Sequence, residues 1–138
     1  MPVSFADLET AFLFVSSDGL GENQAFLHRP SGEIYLHSDI VDIEEELPDD
    51  IDSEDYIEIP DRKELDLGKP LVMEFVRLFL PDDYDEVSQS FRRKGAYGRF
   101  KNLLARRNAL NRWYEFSARA EKAALKEWCA SNAIELRD

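Results

Sequence analysis

At 138 residues, with 43% hydrophobic and 12% aromatic side chains, the chain is long enough to bury a core and too rich in Phe, Tyr and Trp for global disorder. Its net charge of −12 opposes long-range attraction to phosphate or anionic lipid, although salt screens that field beyond ~10 Å and leaves local patches to decide. The single cysteine, Cys129, excludes an internal disulfide and a four-cysteine zinc site and fits a cytoplasmic protein.

The first residues lack the basic and apolar segments of a secretory leader. Ala11 to Val15, the longest apolar run, falls far short of the ~20 residues that span a bilayer. Ser4 with Asp7 predicts a helix start, and Phe5, Leu8, Phe12 and Val15 follow at helical spacing until Ser16-Ser17-Asp18-Gly19. Gln24 to Arg29 and Glu33 to His37 flank Pro30-Ser31-Gly32, the pattern of a β-hairpin. With the turn centred on Ser31-Gly32, Phe26 would face His37 and His28 would face Tyr35. Tyr56 to Pro60 alternates apolar and acidic residues and predicts a third strand beside the hairpin.

A stripe of Val72, Phe75, Val76, Phe79 and Leu80 predicts a buried helix that Pro81 ends. Pro81-Asp82-Asp83 starts another through Val87 to Phe91. Gly95 and Gly98 bracket the next start, after which Ala96, Phe100, Leu103 and Leu104 share a face until Asn108 offers a left-handed cap. The last helix is predicted over Leu110 to Ser131, with Trp113, Phe116, Ala120, Ala123, Ala124 and Trp128 inward. The expected architecture is α+β: an N-terminal helix and small antiparallel sheet, then a helical C-terminal half. One domain, 1–138, is expected, with an acidic α/β part over 1–66 and a helical part over 67–138.

Several segments resemble one of the bacterial "uncharacterised protein family" groups. They include Leu80-Pro81-Asp82-Asp83-Tyr84, Arg93-Lys94-Gly95-Ala96-Tyr97, Arg99-Phe100-Lys101, Trp113-Tyr114-Glu115-Phe116 and Glu127-Trp128-Cys129. The likeness runs from about Tyr56 onward and more loosely over the hairpin. Asn108 and Ala133 stand where that family carries Gly, both at helix ends. The resemblance implies a small bacterial cytosolic protein and brings no assigned activity.

Charge is unevenly spread. Arg92 to Lys126 carries eleven Lys/Arg against Glu115 and Glu121, a local +9 that leaves −21 for the remainder. Basic residues interleaved with Tyr97 and Phe100 and punctuated by glycines could place guanidinium groups on phosphates with an aromatic for base stacking. The plainer reading makes Phe100, Leu103 and Leu104 core and the arginines a solvated face. The acidic segment Asp42 to Asp66 could instead cover that face, helped by Leu47, Ile51 or Ile57, since exposed ion pairs alone contribute only ~0–1 kcal/mol each.

Asp50, Asp52 and Glu54 alternate as calcium ligands do, but Asp55 and Asp61 stand where an EF-hand loop needs Gly and a bidentate Glu, so a solvated loop is expected. His28 and His37 would lie diagonally on one sheet face and could share a metal with Asp39, although no third ligand has a recognisable spacing. This is the basis of a metal-dependent hydrolase reading, weaker than that of surface histidines. Cys129 sits near a helix end, where the dipole disfavours a thiolate, and no nucleophile-elbow or phosphate-loop pattern occurs.

The sequence therefore reads as a non-enzymatic protein-interaction module with no cofactor and no membrane attachment. The candidate contact residues are Arg93, Tyr97, Arg99, Arg106, Arg112, Trp113 and Tyr114, because Trp, Tyr and Arg dominate interface hot spots. Another protein is the expected partner; nucleic acid on the same basic face is the alternative.

Overall fold

Ser4 opens the first helix as its spacing predicts. In the computed structural model, which describes residues 2–17, 23–38 and 48–137, its extended backbone lets Oγ accept from the Asp7 N–H at 3.3 Å, satisfying one unpaired donor of the first turn. Helix α1, Phe5–Ser16, buries Leu8, Ala11, Phe12 and Val15, the i, i+3, i+4, i+7 stripe. Strands β2, Asn23–His28, and β3, Ile34–Ser38, form the antiparallel hairpin, and β4, Tyr56–Glu58, pairs antiparallel on the other edge of β2. The order is β3-β2-β4, so β2 is central and its alternate residues Ala25 and Leu27 are fully buried.

The register differs from the expected one by two residues: Phe26 faces Tyr35, and His37 faces Gln24. The reversal begins earlier than Pro30-Ser31-Gly32 suggests. It occupies residues 29–32, with Gly32 at φ 77° as the left-handed last position and its N–H bonded to the His28 carbonyl at 2.8 Å. A pairing with no sequence counterpart joins β1, Val3–Ser4, to Leu136–Arg137 in parallel, with Val3 opposite Leu136. Arg29 Nη1 donates to the Asn132 carbonyl at 2.7 Å, tying the hairpin turn to the same C-terminal segment.

The chain divides into two compact units, residues 1–65 with 125–138, and residues 66–124. Together they make an α+β protein, its described helices concentrated after residue 68. In the second unit α2, Lys69–Phe79, carries Pro70 in its first turn and buries Leu71, Val72, Phe75 and Val76 before Pro81 stops it. A 3₁₀ turn over Pro81–Asp83 leads into α3, Tyr84–Ser90, and Gly95 at φ 80° precedes α4, Ala96–Arg106. Gly98 lies inside the first turn of α4 rather than bounding it.

Helix α5, Leu110–Ser131, has the predicted extent. Its buried residues depart from the predicted arc: Trp113 is buried, Ala123 is exposed, and Leu125 and Cys129 are buried. The α4 and α5 ends share one geometry. Asn108 and Ala133 take φ 55° and 56°, and the next residue's N–H reaches back five positions: Ala109 to the Leu104 carbonyl and Ile134 to the Cys129 carbonyl, both at 2.8 Å. These are Schellman closures with non-glycine residues at the left-handed position.

Candidate functional site

The second unit is built around Phe75. Its ring centre lies 5.3 Å from Trp113, 5.3 Å from Phe116, 4.9 Å from Phe79 and 6.4 Å from Phe100. Trp113 also meets Phe100 edge-on at 5.1 Å and is only 8% exposed. That makes Trp113 a core residue, a correction to its place among the contact residues. Spacing on α5 turned it inward, and the clustering of tilted and edge-to-face rings holds it there. Phe79, at the end of α2, is 39% exposed, and the Arg112 guanidinium lies over its ring at 5.2 Å. Tyr114 is 51% exposed.

Arg99 is also corrected. Its Nε donates to Ser90 Oγ at 2.6 Å, Nη2 to the Ser90 and Arg93 carbonyls at 2.7 and 3.2 Å, and Nη1 to the Lys94 carbonyl at 2.7 Å. The guanidinium thus ties the C-terminal end of α3 to the turn before α4, sharing the Ser90 carbonyl with the Arg93 N–H and taking the Arg93 and Lys94 carbonyls as well. Four of its five N–H donors are used, so it has no free pair to offer as a fork for phosphate. Its charge faces only neutral acceptors.

A second arginine escaped the sequence reading. Arg107 grips Asp83 through Nε to Oδ2 at 3.1 Å and Nη2 to Oδ1 at 2.9 Å. The hydrogen bonds from Arg107 hold the buried Asp83 carboxyl below the usual aspartate range. Both residues were visible as charges; a separation of 24 positions carries no local signal that they pair.

Between α3 and α4 lies a cleft of about 320 Å³. Val87, Phe91, Phe100 and Leu103 supply its apolar lining, and Glu86, Ser90, Arg93, Arg99, Asn102 and Arg106 its polar one. The fold thus gathers three predicted arginines around one opening. Tyr97, 46% exposed, packs edge-on against the wall residue Phe91 at 5.2 Å. Arg112 and Tyr114 line no part of the cleft. Arg93 and Arg106 are exposed, and neither has an ion-pair partner among the described residues.

In the first unit the revised register leaves His28 and His37 on one sheet face but four positions apart, about 13 Å at ~3.3 Å per residue, so they cannot share a metal. His28 is held locally: its Nδ1 is 2.6 Å from Ser31 Oγ, and its ring packs on Tyr56 at 4.8 Å. Asp39 lies outside the described residues, as do residues 42–47 of the acidic segment. Among the described residues, no three His, Cys, Asp or Glu side chains converge as metal ligands. The acids from Asp49 to Asp55 are exposed on successive turns. Burial pushes the Cys129 thiol up to about 11, which leaves it protonated and 1% exposed.

A larger groove of about 760 Å³ runs beside Ile34, Tyr35 and Leu36. Its charged residues, Asp7, Glu33 and Arg137, are exposed and mixed in sign. No helix among the described residues is long and apolar enough to cross a membrane. No protein-family model matches the chain, and neither the curated proteins nor the solved structures contain a match.

Proposed function

We propose that this is a non-enzymatic cytoplasmic interaction protein whose second unit docks an acidic segment of a partner protein. The observation that carries this reading is a set of exposed, uncommitted cations beside exposed aromatics. Residues 66–124 hold twelve Lys/Arg and eight Asp/Glu, a net +4 inside a chain of −12. Arg93 and Arg106 stand exposed at the cleft whose wall residue Phe91 packs on the exposed Tyr97, and Arg112 lies over the Phe79 ring. Complementary potential of this kind steers association and selects against wrong partners.

A protein partner is favoured over nucleic acid by the state of the aromatics. Stacking on bases needs an accessible ring face. Trp113 is buried, which leaves Tyr97, held edge-on against Phe91, and Tyr114 as the exposed aromatics of the predicted set.

Fluorescence anisotropy with a labelled Glu- and Tyr-rich peptide and a labelled single-stranded oligonucleotide, each at 50 and 300 mM salt, tests the reading. The peptide is expected to bind, to weaken between 50 and 300 mM salt by less than an oligonucleotide would, and to lose at least tenfold in affinity with Arg93→Glu/Arg106→Glu/Arg112→Glu. Tighter oligonucleotide binding that collapses with salt would move the function to nucleic acid. Peptide binding indifferent to charge reversal would remove the basic face from the function.

A further inference from the structure

The cleft between α3 and α4 has a composition that a docking surface for acidic chain does not require. Its polar lining holds three guanidinium groups and one carboxylate, Glu86. Arg99 is fixed by four hydrogen bonds whose acceptors are all neutral, so its orientation is set while its charge stays uncompensated. Arg93 and Arg106 bring two exposed forks to the same opening, with no ion pair within 4 Å to a carboxylate among the described residues. Beneath them lie Val87, Phe100 and Leu103, all buried, with Phe91 as a half-buried wall.

An anionic head and an apolar body are the two halves of the complement to such a cleft. We infer that it binds a small amphipathic carboxylate, a planar anion carried on a single apolar ring or short branched chain. A carboxylate can accept two parallel N–H bonds from one guanidinium, and the Arg99 charge adds to the attraction without having to move. At about 320 Å³ the space lies at the lower end of small-molecule sites. It takes one ring and its acid group, and it is too small to be the seat of a docked helix. Glu86 on the rim rejects a second carboxylate, which sets the preferred ligand charge at −1. This inference goes beyond the docking of a partner and does not depend on it.

The test uses NMR on the full chain with three probes: indole-3-acetate, phenyl phosphate and tryptamine. Indole-3-acetate is expected to shift the methyl signals of Val87 and Leu103 saturably in the millimolar range, as befits a ligand of this size. Tryptamine, with the same ring and a cationic head, is expected to leave them unmoved. Arg93→Met/Arg106→Met, at exposed positions, should keep the native spectrum and weaken indole-3-acetate at least tenfold; Asn102→Trp, also at an exposed position of the lining, fills the cleft and should abolish its shifts. Equal response to tryptamine, tighter binding of phenyl phosphate, or shifts that survive either variant would each overturn the assignment.

Discussion

Replacing Arg99 by Ala should cost about 2–3 kcal/mol of folding stability, although the residue is polar and half-exposed. Hydrogen bonds from a charged donor contribute ~1.5–3 kcal/mol each, so four would sum to well over the expected loss. The sum is not realised. The carbonyls of Arg93 and Lys94 are exposed and regain water when the guanidinium goes, whereas the two bonds to Ser90 are partly buried and are replaced less readily, the Ser90 carbonyl keeping only its bond from the Arg93 N–H. Loss of those two, ~3–6 kcal/mol, is offset by ~2 kcal/mol of side-chain entropy no longer surrendered, which leaves ~1–4 kcal/mol and centres the expectation on ~2–3. For a chain of this size the result is a fall in Tm of about 10 °C. Arg99→Lys recovers less than half, because one ammonium cannot span acceptors on both sides of the α3–α4 turn. Urea titrations followed by far-UV circular dichroism measure the loss at low salt and in 0.5 M NaCl. With neutral acceptors the difference between wild type and variant is expected to be nearly the same in both. A loss under ~0.5 kcal/mol, or one that disappears in salt, would refute the stapling role.

Two backbone substitutions should both stabilise. Ala133 occupies φ 56°, which costs an L-residue ~1–2 kcal/mol, so Ala133→Gly gains up to ~1 kcal/mol after its larger unfolded-state entropy; Gly98→Ala, with open space where the Cβ would stand and helical backbone, gains ~0.5–1 kcal/mol in the same denaturation assay. The Asp83 carboxyl has a folded pKa below its ordinary 3.8, so its contribution is full above that value and lost as pH falls through the folded one. Asp83→Asn should therefore flatten the acid limb of the stability–pH profile and leave the alkaline limb unchanged. Cys129 should resist a thiol-specific reagent at pH 8 in the native protein and react fully in 6 M guanidinium; as its thiol ionises near 9.0 unfolded and about 11 folded, stability should fall as pH rises between them.

Helices were the most legible part of this chain because their signals are local. The Ser4 cap, the Pro81 stop and the Asn108 closure each act within a few residues, and the extent of α5 followed from apolar spacing alone. Strand pairing was less so. The hairpin was apparent, but its register turned on which of residues 29–32 takes the left-handed position, and the Val3–Leu136 pairing joins segments too short to show alternation. Trp113 exposes a conflict between two kinds of reasoning: helical spacing put it inward, while the general frequency of Trp in interfaces recommended it as a contact. Packing against Phe75 and Phe100 decided for spacing. Arg99 was misread for another reason. Its acceptors are mostly backbone carbonyls, which every residue carries and no sequence displays.

The parallel pairing of Val3–Ser4 with Leu136–Arg137 has a bearing on how the polypeptide matures on the ribosome. Residues 66–124 are contiguous and free to condense as soon as they emerge, but the unit begun by the first residues waits for Leu125, Cys129 and the last strand to be translated. Until then Val3 lacks its parallel partner Leu136, and the Arg29 guanidinium lacks the Asn132 carbonyl. One half of this unit is thus made well before the segment that closes it, and that interval is when chaperone capture or premature aggregation would act on this protein.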